Sequence, residues 1–122
     1  MAINSAKLVQ TVQNFVSRTG DIMGAAVVTP DGLPLASSLP GEMDEDRVSA
    51  MSAAMLSLGE RIAKELLAGK TDRIYVEGNE GTTIMTTCGN DAVFLVLASK
   101  DAKQGMIMLE VKRTVDDIMR IL

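Results

Sequence analysis

The chain has 122 residues and a net charge of −4, with acidic and basic side chains interspersed, and it contains no histidine, one tyrosine and two phenylalanines. This length predicts a single domain over residues 1–122, and the lack of a basic block or an aromatic platform argues against nucleic-acid binding. The longest apolar stretch, Val93–Ala98, is too short to cross a bilayer, so direct membrane insertion is not expected.

Apolar periodicity and turn residues predict eight elements in the order α-β-β-α-β-β-β-α. In chain order they are a helix over 3–18, strands Ile22–Thr29 and Leu33–Ser38, a helix from Glu45 to about Ala68, strands Arg73–Glu77, Thr82–Cys88 and Ala92–Ala98, and a helix over Gln104–Leu122. Short turns join consecutive strands, which favours antiparallel pairing. The last helix carries one apolar stripe, formed by Met108, Val111, Val115, Ile118, Met119 and Leu122.

Hydrophobicity predicts the positions of the strands in the sheet. Strands 22–29 and 92–98 are almost wholly apolar, which is typical of central strands covered on both faces. Pro34 cannot donate a hydrogen bond to a neighbouring strand, so its strand belongs at an edge. Strand Arg73–Glu77 then forms the other edge, with Ile74 and Val76 pointing inward and no residue that protects the edge.

The long middle helix carries two distinct sets of residues. We expect one sector to pack on the sheet, and it consists of Val48, Met51, Met55, Leu58, Ile62 and Leu66. A second sector, about 120° away on a helix of 100° per residue, consists of Ala50, Ala53, Ala54 and Ser57. The alanines have two interpretations, because alanine favours helix in general and because small side chains let a second helix approach closely.

The unprotected edge strand favours the second interpretation, since edge strands are normally blunted or paired. Two copies related by a two-fold axis would join edge to edge and bring their long helices together. The predicted homodimer interface comprises Ala50, Ala53, Ala54, Ser57, Arg61, Arg73, Ile74, Tyr75 and Val76.

Motifs for chemistry are weak in this sequence, so no enzyme activity, catalytic residue, cofactor or metal site is predicted. The segment LLAGKT at 66–71 resembles the end of a phosphate-binding loop, but it follows a helix and is better read as a helix terminus. Cys88 has no histidine to activate it, and a single cysteine is typical of a reducing cytoplasm. The acidic run 44–46 is better explained by the dipole of the following helix than by a metal.

The sequence resembles the roadblock/dynein light chain family, of the MglB-like type of bacteria and archaea. The resemblance extends over essentially the whole chain and is carried by GAAVVTPDGLPLASS at 24–38, the small-residue helix at 45–68, RIYVEGNEGTTIMTTCGNDAVFLVLA at 73–98 and the closing amphipathic helix. It implies an α+β fold of α/β/α layers. A five-stranded antiparallel sheet would carry the long helix on one face and the two terminal helices on the other.

The resemblance also implies a function. Members of the family are non-catalytic platforms that dimerise through the middle helix and third strand and bind Ras-like small GTPases. Binding would use the solvent side of the middle helix, and the expected residues are Glu45, Ser49, Ser52, Glu60, Ala63, Lys64 and Leu67. Two alternatives stay open: a structural subunit that heterodimerises with a related chain in a motor or signalling complex, and a small-molecule sensor of similar build.

Overall fold

The turns of this sequence separate five short strands, and these form one antiparallel sheet in the order β2-β1-β5-β4-β3. The computed structural model describes residues 3–122. Its elements are α1 (Ser5–Arg18), β1 (Ile22–Val28), β2 (Pro34–Ser38), α2 (Glu45–Leu66), β3 (Arg73–Glu77), β4 (Gly81–Cys88), β5 (Ala92–Ser99) and α3 (Gln104–Ile121). The predicted fold class is confirmed, as are the predicted element order and the two predicted edge strands.

The centre of the sheet is built from its most apolar strands. β1 pairs with β5, with Ala25 opposite Val96 and Val27 opposite Phe94, and these four residues have no exposed surface. β2 lies at one edge, where the missing N–H of Pro34 costs no ladder hydrogen bond. The turn before β2 places Gly32 at φ +92°, a backbone conformation that glycine adopts without steric cost.

Two apolar layers cover the two faces of the sheet. On one face α1 and α3 pack over a cluster that includes Leu8, Phe15, Phe94 and Ile118. The rings of Phe15 and Phe94 meet edge to face with their centroids 5.1 Å apart, which joins α1 to the central strand. On the other face α2 packs through Leu56 over side chains of β1, β4 and β5.

The sequence prediction was wrong about which side of α2 packs on the sheet. The buried residues of α2 are Ser49, Ser52, Leu56 and Ala63. In the set predicted to be buried, Val48 and Met55 are half-buried. The other four are exposed, by 62% at Met51, 60% at Leu58, 45% at Ile62 and 75% at Leu66.

The physical reason lies in the sheet and in the two serines. The sheet already presents bulky side chains to α2, among them Leu95 and Leu97, so small residues on the helix allow close packing. The hydroxyl of Ser49 donates to the carbonyl of Glu45 and that of Ser52 to the carbonyl of Val48, both at 2.8 Å. Because each hydroxyl is satisfied inside the helix, burying it carries little desolvation cost.

The apolar stripe predicted on α3 is not buried along its whole length, and one residue of β3 that was predicted to point inward is largely exposed. On α3, Met119 is 48% exposed, whereas Ile107 and Thr114 are buried. On β3, Val76 is 51% exposed although it shares a face of the strand with Ile74. Ile74 packs against the cluster beneath α2, while the side chain of Val76 remains largely uncovered.

Candidate functional site

An exposed row of large apolar side chains runs along the outer side of α2. We define the apolar stripe as Met51, Leu58, Ile62 and Leu66. Their spacing of seven, four and four residues places them on one side of the helix. The side chains are between 45% and 75% exposed. Contiguous apolar surface of this kind, bordered by charged residues such as Arg61 and Glu65, is typical of an interaction site.

The apolar stripe adjoins the free edge of the sheet. Ile74 of β3 lies directly over Gly59 of α2, and a Cβ placed on Gly59 would stand only 3.2 Å from Cγ1 of Ile74. The missing side chain of Gly59 therefore lets the helix approach β3 closely. Ile62, Leu67 and Ile74 line one shallow depression of about 430 Å³. The apolar stripe and β3 thus form a single surface, which we call the α2–β3 surface.

The predicted interface residues divide between two places: the four on β3 lie at this surface, whereas Ala50, Ser57 and Arg61 lie on the other side of α2. Arg73, Tyr75 and Val76 are exposed along β3 and Ile74 is half-buried; the Tyr75 hydroxyl donates to Sδ of Met108 at 3.4 Å. On α2, the residues Ala50, Ala54, Ser57 and Arg61 are exposed and Ala53 is half-buried. The sequence analysis did not include the four residues of the apolar stripe among the candidate surface residues, because it assigned them to the face that packs on the sheet. The small residues at 49, 52, 59 and 63, spaced three, seven and four apart, were the available signal for the sheet-facing side.

The residues predicted to bind a GTPase divide into two groups. Glu45, Glu60, Lys64 and Leu67 are exposed. Ser49, Ser52 and Ala63 are buried against the sheet, so the expectation that they lie on the solvent side is wrong. In this helix the small residues face the sheet, so their side chains are not accessible to a partner protein.

The other side of α2 borders a groove of about 430 Å³. The groove lies between the helix and the loops at one end of the sheet, and its lining includes Pro30, Ser57, Glu60, Arg61 and Asn90. We define the outer flank as Ala50, Ser57, Glu60, Arg61 and Lys64. Around the axis of α2, the residues that face the sheet lie between this flank and the apolar stripe. This flank is polar and charged, so it differs in chemistry from the α2–β3 surface.

Both ends of α2 are helix termini, as the sequence analysis favoured for the acidic run 44–46 and for the segment 66–71. At the start, the Asp44 carboxylate accepts a hydrogen bond from the backbone N–H of Asp46 at 3.0 Å and caps the helix. At the end, Ala68 adopts φ +54° and the N–H of Gly69 donates to the carbonyl of Ala63 at 3.0 Å. The segment 66–71 therefore closes a helix, whereas a phosphate-binding loop opens one.

Cys88 is a buried side chain of β4, and burial raises the pKa of its thiol to about 12. An unfolded cysteine has a pKa of about 8.5, so between pH 8.5 and 12 only the unfolded chain loses this proton. We expect the free energy of unfolding to decrease as the pH rises through this range. Titration with a thiol reagent at pH 8 should show slow labelling of the native chain and rapid labelling in urea. Rapid labelling of the native chain would contradict the burial of Cys88.

Within residues 3–122, no helix is both long enough and apolar enough to span a bilayer. In the same part of the chain, His, Cys, Asp and Glu side chains form no group of three or more that could hold a metal ion.

The chain matches one family model and is similar to a curated archaeal protein. The family model described as the Roadblock/LC7 domain matches residues 8–98. Protein MJ0310 of Methanocaldococcus jannaschii is 36% identical over 103 residues, which cover 84% of this chain and 90% of that protein.

Solved structures show the same fold at low sequence identity. MglB of Myxococcus xanthus superposes with a TM-score of 0.90 at 16% identity, over 99% of this chain and 91% of that one. A Roadblock/LC7 domain from Streptomyces avermitilis superposes with a TM-score of 0.84 at 20% identity, over 90% of this chain and 92% of that one.

Proposed function

Because the chain belongs to the Roadblock/LC7 family, we propose that it acts in the cytoplasm as a homodimeric platform that binds a Ras-like small GTPase. The observation that carries the proposal is the α2–β3 surface, where an exposed apolar stripe adjoins an unpaired edge strand. A second copy would cover both features at once, because a two-fold axis brings each stripe against its own counterpart.

The size of the apolar stripe supports dimerisation. Full burial of a leucine, isoleucine or methionine side chain contributes about 1.5 to 3 kcal/mol. The four stripe residues are already partly covered, so each contributes less than the full value, but in a symmetric dimer each contributes twice. Pairing of the two β3 edges would add hydrogen bonds between backbone groups that the monomer leaves to water.

The outer flank is the surface that we assign to the GTPase. It stays on the outside of the proposed dimer, because the apolar stripe on the opposite side of α2 is the part that meets the second copy. The role is that of a binding partner without catalysis: the chain has no histidine, and its single thiol is buried. Any effect on GTP hydrolysis would come from positioning the GTPase's own catalytic residues.

Binding to small GTPases of the same cell, loaded with GDP or a GTP analogue, tests the proposal. The variant Lys64→Glu reverses one charge on the outer flank, and we expect it to weaken binding about tenfold while the mass of the dimer stays unchanged. Isothermal titration calorimetry would measure the first effect and light scattering the second. Lys7→Glu, the same change on an exposed position of α1 away from both surfaces, is the matched control and should bind normally. If no GTPase of that cell bound the wild-type chain, the platform role would be wrong.

A further inference from the structure

A groove of about 440 Å³ lies between the end of α1 and the start of α3, on the face of the sheet opposite α2. We call it the α1–α3 groove. The end of α1 contributes Arg18 and Thr19 to its lining, and α3 contributes Met106, Leu109 and Arg113. Neither the α2–β3 surface nor the outer flank includes any of these residues, so occupation of those two surfaces leaves the groove open.

The wall that α3 forms is apolar and largely uncovered. Met106 and Leu109 lie three residues apart, on one side of the helix, and they are 67% and 66% exposed. Ile107 beside them is buried in the core beneath α1 and α3, which gives the groove an apolar floor. A small molecule in the groove would leave the two exposed side chains largely in water, whereas a longer chain lying across them would cover both.

The lining of the groove is positively charged, although the whole chain carries a net charge of −4. It holds three cations, Arg18, Lys103 and Arg113, and two carboxylates, Asp21 and Glu110. The Glu110 carboxylate lies 3.6 Å from Nε of Arg18 and 3.3 Å from Nη1 of Arg113. Since a guanidinium carries five N–H donors, both arginines keep donors for a further carboxylate. Lys103 has no ion-pair partner among residues 3–122.

Two further features of the groove favour a negatively charged partner that accepts hydrogen bonds. Thr19 is only 9% exposed, and its hydroxyl has no hydrogen-bond partner in the part of the chain that the structure describes. The first turn of α3 contains no acidic residue, and the side chain of Lys103 does not cap the helix. The partial positive charge at this helix terminus is therefore uncompensated, whereas α2 begins with Glu45 and Asp46.

We propose that the α1–α3 groove binds an acidic, amphipathic segment of a partner protein other than the GTPase. Apolar side chains of the segment cover Met106 and Leu109. Its carboxylates bind Arg18, Lys103 and Arg113 through charge-assisted hydrogen bonds. Because the groove and α2 lie on opposite faces of the sheet, this partner and the proposed GTPase can bind one molecule at the same time.

The charges of the groove argue against two other occupants. Juxtamembrane segments that bind anionic lipids typically carry about four to eight Lys or Arg residues, whereas here three cations lie beside two carboxylates. A two-fold contact between the grooves of two copies would place cations against cations. An acidic segment of a different protein meets neither difficulty.

Selection from a phage-displayed library of random linear peptides, with the full chain as target, tests the proposal. We expect the recovered peptides to combine Asp or Glu with Leu, Ile, Met or Phe. Arg113→Glu and Leu109→Ser should each weaken their binding about tenfold, through the loss of an ion pair and of a buried apolar side chain respectively. Both side chains are about two-thirds exposed, so the variants should keep their fold. Lys7→Glu, near the other end of α1, is the matched control and should bind as the wild type does.

Charge exchange separates a direct contact from an indirect effect on the fold. Each acidic residue of a recovered peptide is replaced by lysine in turn. At one position, lysine should weaken binding to the wild-type chain and restore binding to Arg113→Glu, because the two exchanged charges are again complementary. Isothermal titration calorimetry measures the four affinities.

The proposal would be overturned if the selection recovered no specific peptide, if the peptides lacked acidic residues, or if Arg113→Glu bound them as tightly as the wild type. Two measurements identify other occupants. Binding to phosphatidylglycerol vesicles, or assembly beyond the dimer in light scattering, would reassign the groove and overturn the proposal if Arg113→Glu abolished it. The inference is independent of the proposed function, because Arg113→Glu should leave both the mass of the dimer and GTPase binding unchanged.

Discussion

Replacing Leu58 with glutamate is expected to convert the proposed dimer into a monomer that keeps its fold. Leu58 lies in the middle of the apolar stripe and is 60% exposed in the single chain, so the change costs little within the monomer. In the dimer it removes about 2 kcal/mol of apolar burial from each copy and adds two carboxylates that must be desolvated. The loss of about 4 kcal/mol alone raises the dissociation constant about a thousandfold. Sedimentation equilibrium measures the constant directly.

The neighbouring residue supplies a matched control. Ser57 is also exposed but belongs to the outer flank, so Ser57→Glu should leave the dimer intact. The pair of variants also decides between the two sides of α2, because the sequence alone assigned Ser57 to the interface and Leu58 to the core. Dissociation by Ser57→Glu with retention of the dimer by Leu58→Glu would favour the alanine-lined side and contradict the α2–β3 surface. Circular dichroism would establish that both variants are folded.

Replacing Phe94 with alanine is expected to produce the largest loss of stability in the molecule. Phe94 is fully buried in the central strand, and its ring contacts Phe15 of α1 edge to face. The substitution removes a large side chain from a close-packed layer and leaves a cavity, which costs about 3 to 5 kcal/mol. Urea unfolding followed by circular dichroism measures the change in the free energy of unfolding.

Phe94→Leu controls for the loss of the aromatic ring as opposed to the loss of volume. Leucine fills most of the space, so the decrease in the free energy of unfolding should be clearly smaller than for alanine. Measurements at two protein concentrations separate folding from association, because only the dimer's stability depends on concentration. A loss below about 1 kcal/mol for Phe94→Ala would contradict the packing of α1 on the sheet, since surface substitutions have effects of that size.

Local chemistry was sufficient to predict the element order and the central and edge strands, whereas the placement of the helices on the two faces came from the family resemblance. The Pro30-Asp31-Gly32 turn marks the first hairpin, and Pro34 places its strand at an edge. The unbroken apolar run of β5 identifies the central strand. Each of these signals acts through the backbone or through complete burial, so it does not depend on which partner the element packs against. The edge position of β3 followed by elimination and is confirmed.

The face of α2 could not be predicted in the same way, because hydrophobicity does not distinguish a surface that packs on the sheet from one left for another molecule. Met51 and Leu58 are as apolar as core residues, and Ser49 and Ser52 are polar residues that look solvent-facing. The hydrogen bonds that make the serines compatible with burial form within the helix, and a helical wheel does not reveal them. The edge position of β3, on which the proposed interface depends, was predicted because Pro34 and the apolar central strands left no other place for it.

The central claim is that a second copy covers the apolar stripe and the β3 edge together. Sedimentation equilibrium of the wild-type chain at micromolar concentration tests it most directly. The expected result is a single species of twice the 13.0 kDa chain mass. A species of 13.0 kDa that persisted at concentrations of several hundred micromolar, about a hundredfold above the range in which stable dimers form, would contradict it.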